Sequence, residues 1–448
     1  MLEKVDRIET LKKPINKMLK KLITIILLTL SFLQNAEANI IRDSEIEETI
    51  DLVIAPLKKA SGLKELKIYL IDDETPNAFT VGGNIIFIHS GLITKFPDPD
   101  VLRGVIAHEI GHILGQHIIR RQVIVDNYTL AAMGTAAIGL ATAISAGAPG
   151  IAIMLAGTHV SERSIMAYSR TFESSADQAA FKLLEKSHNS SAGMIKFFEQ
   201  TKIDSKSDFI NPYEQTHPLS HDRLRILKNE NKKSQYSKSQ NTPDLIYKFQ
   251  RISTKLSAYT RPLSALLPCD DKENEDESAH YTKAIKCFRM GNFANGLAHV
   301  NKLLIKRPGD PFYQELKAQI LFEDGNKNAL DEYEIVYKAR NKDALIVLGR
   351  AIVGITQYKN SPLKLDPFYK DLLFVIEKEP DNLLALYYLA IYYEKKGLKG
   401  KSYLNSAIIA HKLGHQRDAI ELATAAKKEL QTSTPDWYKA NDILEANK

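Results

Sequence analysis

The chain has few cysteines and no large excess of charge of one sign. Its 448 residues include two cysteines and one tryptophan, and 60 Lys and Arg stand against 54 Asp and Glu, for a formal net charge of +6. Two cysteines exclude a disulfide-rich scaffold and a cysteine-rich zinc domain. The charge balance gives no signature of nucleic-acid binding, and none is expected. The length predicts two or three domains.

The apolar run near the N-terminus is too short to span a bilayer comfortably. Lys20 and Lys21 precede the uncharged run from Leu22 to Leu33, and the small residues Ala36 and Ala38 follow it. This order is typical of a secretory signal peptide, predicted over residues 1–38. A buried core helix is the alternative.

The predicted signal region contributes part of the formal net charge of +6. Met18 would give a more conventional signal, so residues 1–17 are a possible upstream extension. Without residues 1–38 the chain keeps a formal charge of +3. No cysteine stands directly after the apolar run, so a lipid anchor is not expected. An exported protein is predicted, which in a Gram-negative cell means the periplasm.

Residues 127–158 contain no charged side chain. The part from Leu130 to Ala146 is short for a membrane span, although a transmembrane hairpin is one interpretation. A mobile apolar lid, or a helix pair that touches a membrane peripherally, fits the pattern better. A buried core segment is the third alternative.

The rest of the first half predicts a helix, short strands and further helices. A hairpin is expected around Gly82 and Gly83, with a strand from Ile85 to Ile88. Helices are predicted from about 100 to 125 and from about 169 to 186. Residues 229–279 are predicted to form a linker with one short helix.

A repeat organises the second half, over residues 280–448. The Gly-Asn pairs at 291 and 325 are 34 residues apart, and Pro308 and Pro380 are 72 apart. A step near 34, with a few inserted residues, resembles tetratricopeptide helix pairs over about 280–430, and a generic helical bundle is the alternative. Such pairs stack and leave a concave binding surface.

The motif that carries chemistry is His108-Glu109-Ile110-Gly111-His112, an H-E-x-x-H sequence. Residues four apart share a helix face, so His108 and His112 can reach one metal ion. Glu109 lies beside them and can take a proton from water. The alternative is that His108 and His112 are two hydrogen-bonded surface histidines that bind no metal ion.

The third ligand separates the zinc peptidase classes. Gly115 fits the metzincin pattern, but Ile118 stands where that pattern needs histidine, and His117 comes one residue early. Glu173 lies on a separate helical pattern and would complete a His₂Glu site. Asp177, one turn later, is placed to orient a ligand imidazole.

These motifs resemble a known family. H-E-x-x-H at 108–112, Glu173-Ser174-Ser175-Ala176-Asp177, and the hairpin at Gly82 are similar to the zinc metallopeptidases that include the HtpX heat-shock protease and the CAAX prenyl protease. The resemblance covers about residues 45–228. It implies a mainly helical α+β fold: a zincin-type domain at 39–228, followed by an α-solenoid of repeats.

The resemblance also implies roles for residues. His108, His112 and Glu173 are expected to bind one zinc ion, with Glu109 as general base. His217 and Arg223 resemble the family's C-terminal motif. His217 is expected either to stabilise the oxyanion or to occupy the open zinc position and keep the enzyme latent, and Arg223 is a second candidate donor.

A signal peptide before this domain and repeats after it resemble the periplasmic branch of the family. That likeness implies quality control of unfolded or misassembled outer-membrane β-barrel proteins, with repeats that bind substrate or the barrel-assembly machinery. A periplasmic chaperone or scaffold with a latent or vestigial zinc site is the alternative.

Two further expectations concern binding and covalent structure. The strand from Ile85 to Ile88 is expected to hold a substrate by adding it to a sheet edge. Cys269 and Cys287 form a disulfide in one interpretation and remain free buried thiols in the other.

Overall fold

The computed structural model describes residues 40–118, 170–204, 213, 217, 221–270 and 275–446. The predicted signal peptide and the uncharged stretch 127–158 lie outside the described residues. Among the described residues, no helix is both long and apolar enough to cross a membrane.

Among the described residues of the first part, four strands form a mixed sheet. Its strands are β1 (Ile40–Ile41), β2 (Lys67–Ile71), β3 (Ala78–Gly82) and β4 (Ile85–His89). The spatial order is β1-β2-β4-β3, with β4 parallel to β2 and antiparallel to β3. The expectation that β4 offers a sheet edge is therefore wrong, because both of its sides are paired.

Helices cover the sheet and build the core. They are α1 (Ser44–Ser61), α2 (Ser90–Lys95), α3 (Pro99–Leu114), α4 (Arg170–Lys186), α5 (Ala192–Asp204) and α6 (His221–Lys233). Every residue of α3 from Val101 to His112 is buried. A helix that is buried on all sides needs neighbours all round, and α1, α4, α5 and β3 supply them.

The central helix α3 is shorter than its sequence pattern predicts. It ends at Leu114, with Gly115 as its C-terminal cap, instead of near residue 125. Gln116 has a positive φ of 50°, which is incompatible with continuing the helix. Helix α4, by contrast, matches its predicted bounds closely.

Helix α7 (Pro243–Thr260) lies within the segment expected as a linker. Its residues Phe249, Ile252 and Leu256 belong to the core of the first part. Its Ala258 packs in the first cluster of the helical array that follows. An amphipathic helix of 18 residues therefore joins the two parts through packed contacts.

Over the described residues 277–446, ten consecutive α-helices form the array. They are α8 (Glu277–Arg289), α9 (Phe293–Lys306), α10 (Pro311–Glu323), α11 (Ala329–Arg340), α12 (Ala344–Gln357), α13 (Asp366–Lys378), α14 (Leu383–Lys395), α15 (Lys399–Lys412), α16 (Gln416–Glu429) and α17 (Pro435–Ala446). Consecutive helices pack on each other along the whole series. This stacking confirms the predicted solenoid.

The repeat spacing follows from the turns. Gly291, Gly325 and Gly397 have positive φ values of 71–75° and connect the two helices of their pairs. The turn between α12 and α13 is longer and contains a 3₁₀ helix at Pro362–Lys364. That longer turn accounts for the interval of 72 residues, which is slightly more than two repeats.

Buried ion pairs join the start of α1 to the array and to α7. Glu45 contacts Arg251 and Lys255 of α7, and it accepts a hydrogen bond of 2.7 Å from Tyr281 of α8. Arg251 also lies over the ring of Tyr313 at 3.9 Å. All these groups are buried, so each charge depends on its partner for compensation.

A disulfide joins Cys269 to Cys287, with the two Cα atoms 5.6 Å apart. Of the two alternatives left open by the sequence, the structure therefore has the cross-link. It attaches the segment before the array to helix α8.

Candidate metal centre

The two histidines of H-E-x-x-H lie one turn apart on α3. Both are fully buried, and their Nε2 atoms face each other at 3.1 Å. Burial, together with the neighbouring imidazoles of His108 and His217, lowers the pKa of His112 well below its usual range. His112 therefore keeps a neutral ring, as a metal ligand requires.

Glu173 reaches these histidines from α4. Its carboxylate oxygens lie 3.3 Å from His108 Nε2 and 3.4 Å from His112 Nε2. The approach is possible because Gly111 carries no side chain: a Cβ there would stand 2.6 Å from the Ala176 carbonyl oxygen. Burial opposes ionisation of Glu173, but His217 and His108 outweigh it and hold its pKa well below the usual range.

Asp177 and Arg223 stand behind this group. Asp177 Oδ1 lies 2.9 Å from His108 Nδ1, the nitrogen that points away from Glu173. Arg223 donates to both Asp177 oxygens, at 2.7 and 2.9 Å, and contacts Glu173 at 3.1 Å. Burial opposes the charge on Asp177, but Arg223 and His108 lower its pKa. Arg223 thereby compensates two buried carboxylates.

Glu109 is buried in the same place with fewer partners. Neither of its oxygens accepts a well-formed hydrogen bond from a described residue. Burial raises its pKa, while the neighbouring imidazoles of His217 and His108 and the backbone of Thr80 work against that rise. A carboxyl group with a raised pKa holds protons more readily near neutral pH.

His217 contributes a fourth side chain to the group. Its Nδ1 lies 3.3 Å from His108 Nε2 and 3.3 Å from Glu173 Oε2, while its Nε2 is 3.5 Å from Glu109 Oε1. Tyr213 stacks on the imidazole with ring centroids 4.7 Å apart. We call His108, His112, Glu173 and His217 the metal-ligand cluster, because their ligand atoms all lie within 4.8 Å of one another.

His117 lies outside the metal-ligand cluster. Its Nδ1 is 3.0 Å from Nδ1 of His112, the ring nitrogen opposite the one that faces Glu173. The ring stacks on Phe172 at 4.8 Å. His117 follows the end of α3 and supports His112 from behind.

The structure brings all the predicted site residues together: His108, Glu109, His112, Glu173, Asp177, His217 and Arg223. Sequence reasoning did not find Gly111 as a contact point or Tyr213 as the support of His217. The small residue inside the H-E-x-x-H motif was a usable signal for close helix packing. Tyr213 had no comparable signal.

The donor set of the cluster fits zinc. Imidazole nitrogens with one carboxylate are ligands that zinc accepts in proteins. Glu173 Oε1 is buried and accepts no hydrogen bond from a described residue, although it lies 3.4 Å from His112 Nε2. A dication among these atoms would neutralise the carboxylate and use the imidazole lone pairs.

Comparison with known proteins agrees with this geometry. Residues 41–231 match peptidase family M48. Beta-barrel assembly-enhancing proteases are similar: the protein from Yersinia pestis is 24% identical over 265 residues and the one from Escherichia coli K12 is 25% identical over 261. Each alignment covers 56% of this chain and 53% of the relative. The chain thus spans about half the length of these relatives.

A shorter likeness involves a second group of proteins. A Protease HtpX homolog from Persephonella marina is 38% identical over 71 residues, which is 15% of this chain and 24% of that protein.

The close approach at Gly111 gives a stability test. In the Gly111→Ala variant the methyl group would press on the Ala176 carbonyl and separate α3 from α4. Overpacking of this kind costs about 1–3 kcal/mol, so the thermal unfolding midpoint should fall. Gly296→Ala is the control, because its Cβ would meet its nearest neighbour at an ordinary 3.4 Å. Equal midpoints for the two variants would contradict the packing argument.

Proposed function

Because residues 41–231 match peptidase family M48, we propose that this chain is a zinc-dependent endopeptidase of the bacterial envelope. The observation that carries the proposal is the convergence of His108, His112 and Glu173 in one buried cluster beside Glu109. His108, His112 and Glu173 hold one zinc ion per chain in this proposal. A bound zinc ion supplies the Lewis acidity that activates water and polarises a peptide carbonyl.

Glu109 acts as the general base. It accepts a proton from the attacking water and then passes it to the leaving amine. Its burial and raised pKa support this role, because a carboxyl group must bind and release a proton near the working pH. Because neither of its oxygens accepts a well-formed hydrogen bond from a described residue, both can accept one from a water molecule.

Asp177 and Arg223 act as positioning residues. The contact between Asp177 and Nδ1 of His108 favours a proton on Nδ1, which leaves Nε2, on the Glu173 side of the ring, to bind the metal ion. Arg223 holds Asp177 and Glu173 through three contacts. These contacts favour a positioning role for Arg223 over its expected role as an oxyanion donor.

Strand β3 is the best candidate for substrate binding. It lies at the end of the sheet, and no described strand pairs with its outer side. Thr80 in this strand lies beside Glu109. An extended peptide added to β3 would form backbone hydrogen bonds with little sequence preference, as a peptidase of unfolded chains requires.

The substrates and partners follow from the relatives. Their printed name, beta-barrel assembly-enhancing protease, supports substrates among unfolded or misassembled outer-membrane proteins. The helical array would bind these substrates or the assembly machinery. The disulfide and the predicted signal peptide support a periplasmic location. Peripheral membrane contact through residues 127–158 remains part of the proposal.

A second candidate function rests on His217. Because its Nδ1 lies 3.3 Å from both His108 Nε2 and Glu173 Oε2, the imidazole stands where a substrate or water would approach. This position favours the latent form over oxyanion stabilisation. A protein held permanently in that form would serve as a periplasmic chaperone or scaffold.

Replacing Glu109 by Gln separates an enzyme from a scaffold. The amide cannot accept the proton, so the cleavage rate of casein or of a misfolded outer-membrane barrel should fall by about 10²–10⁴-fold. Zinc content should stay the same, because Glu109 is not a ligand. Removal of zinc by a chelator should abolish cleavage in the wild type.

The matched control is Glu199→Gln, since Glu199 forms a partly exposed ion pair with Lys228 on the surface. It should keep wild-type activity. Equal cleavage by the Glu109→Gln variant and the wild type would contradict the enzymatic proposal and favour the scaffold.

Replacing His217 by Ala tests the latent form. If the imidazole stabilises the latent form over the open form by about 1.4 kcal/mol, its removal should raise the cleavage rate about tenfold. His188→Ala is the control, because His188 stacks on Tyr236 away from the cluster. A fall in activity, with an unchanged unfolding midpoint, would favour oxyanion stabilisation, and unchanged activity would exclude both roles.

A further inference from the structure

A second group of metal-ligand side chains lies in the first helix pair of the array. Glu275 stands just before α8, His280 lies in the first half of α8, and His299 lies in the middle of α9. The Nδ1 atoms of the two histidines face each other at 3.1 Å. Glu275 Oε2 lies 3.8 Å from His280 Nδ1.

The two histidines are buried, and the side chain of Glu275 is 13% exposed. His280 and His299 are 4% and 1% exposed. The Oε2 atom of Glu275 is buried and accepts no well-formed hydrogen bond from a described residue. The ligand atoms of all three residues lie within 4.8 Å of one another. A buried carboxylate oxygen without a donor is costly, and a cation is one way to compensate it.

We propose that Glu275, His280 and His299 form a second metal site, which binds a divalent transition-metal ion of the zinc type. Two imidazole nitrogens and one carboxylate oxygen are ligands that zinc accepts, with a fourth position left for water. The site shares no residue with the metal-ligand cluster and does not depend on the proposed peptidase activity.

Neighbouring lysines affect the affinity of this site for a metal ion. Lys283 contacts Oε1 of Glu275, which leaves Oε2 for the metal. Lys306 donates to the backbone oxygen of Glu275 at 3.0 Å. Lys302 and Lys306 also place positive charge near His280. The same positive charges oppose a cation, so we expect weaker binding than at the metal-ligand cluster.

Metal binding here would stabilise the start of the array. The ion would connect the segment before α8 to both helices of the first pair. The disulfide between Cys269 and Cys287 already attaches the preceding segment to α8. The two cross-links together would hold the end of the array that lies next to helix α7, and through α7 the first part of the chain.

The test is zinc stoichiometry in the purified, chelator-stripped protein. Isothermal titration with Zn²⁺ should give two ions per chain in the wild type and one in the His280→Ala/His299→Ala variant. His411→Ala is the matched control, because His411 is an exposed histidine of the array, and it should keep two ions. The double variant should keep the zinc ion and the activity of the first site.

A conservative variant covers the case in which the double variant does not fold. Glu275→Gln keeps the shape of the side chain and should weaken the second binding event without removing the first. Zinc should also raise the unfolding midpoint of the wild type more than that of Glu275→Gln. A single ion per chain in the wild type, or two ions with unchanged affinity in Glu275→Gln, would overturn the proposal.

Discussion

The structure of the first part depends on how closely α3 and α4 approach each other. His108 and His112 can meet Glu173 only if the two helix backbones come into contact, and the missing side chain of Gly111 allows this against Ala176. The burial of α3 on all sides follows from the same requirement, because a helix held at this distance needs packing from the sheet and from α5 as well. The metal-ligand cluster is thus a consequence of helix packing.

Charge compensation is the second constraint. Three carboxylates, those of Glu109, Glu173 and Asp177, are almost fully buried, which is unfavourable unless each one is paired. Arg223 compensates Asp177 and Glu173, whereas Glu109 contacts no arginine or lysine among the described residues, faces His217 at 3.5 Å and has a raised pKa. The arrangement therefore separates carboxylates that stay charged from one that can exchange a proton. This separation is typical of a site that carries out acid–base chemistry.

Local patterns predicted the parts of the fold and site that depend on local spacing. The four-residue step of H-E-x-x-H, the helix that carries Glu173, and the turn glycines of the array could all be read from neighbouring residues. The order of the strands could not be predicted in this way. Strands β3 and β4 form a hairpin, and tertiary packing decides which of the two pairs with β2. The end of α3 at Leu114 depends on the left-handed conformation of Gln116. His280 and His299 are 19 residues apart on two helices, a spacing that no local motif indicates.

The most direct test of the account is a crystal structure of the zinc-loaded protein with anomalous data collected above the zinc absorption edge. The account predicts a strong peak about 2.0–2.2 Å from His108 Nε2, His112 Nε2 and a Glu173 oxygen. Full zinc occupancy elsewhere, with no peak among these three side chains, would contradict it.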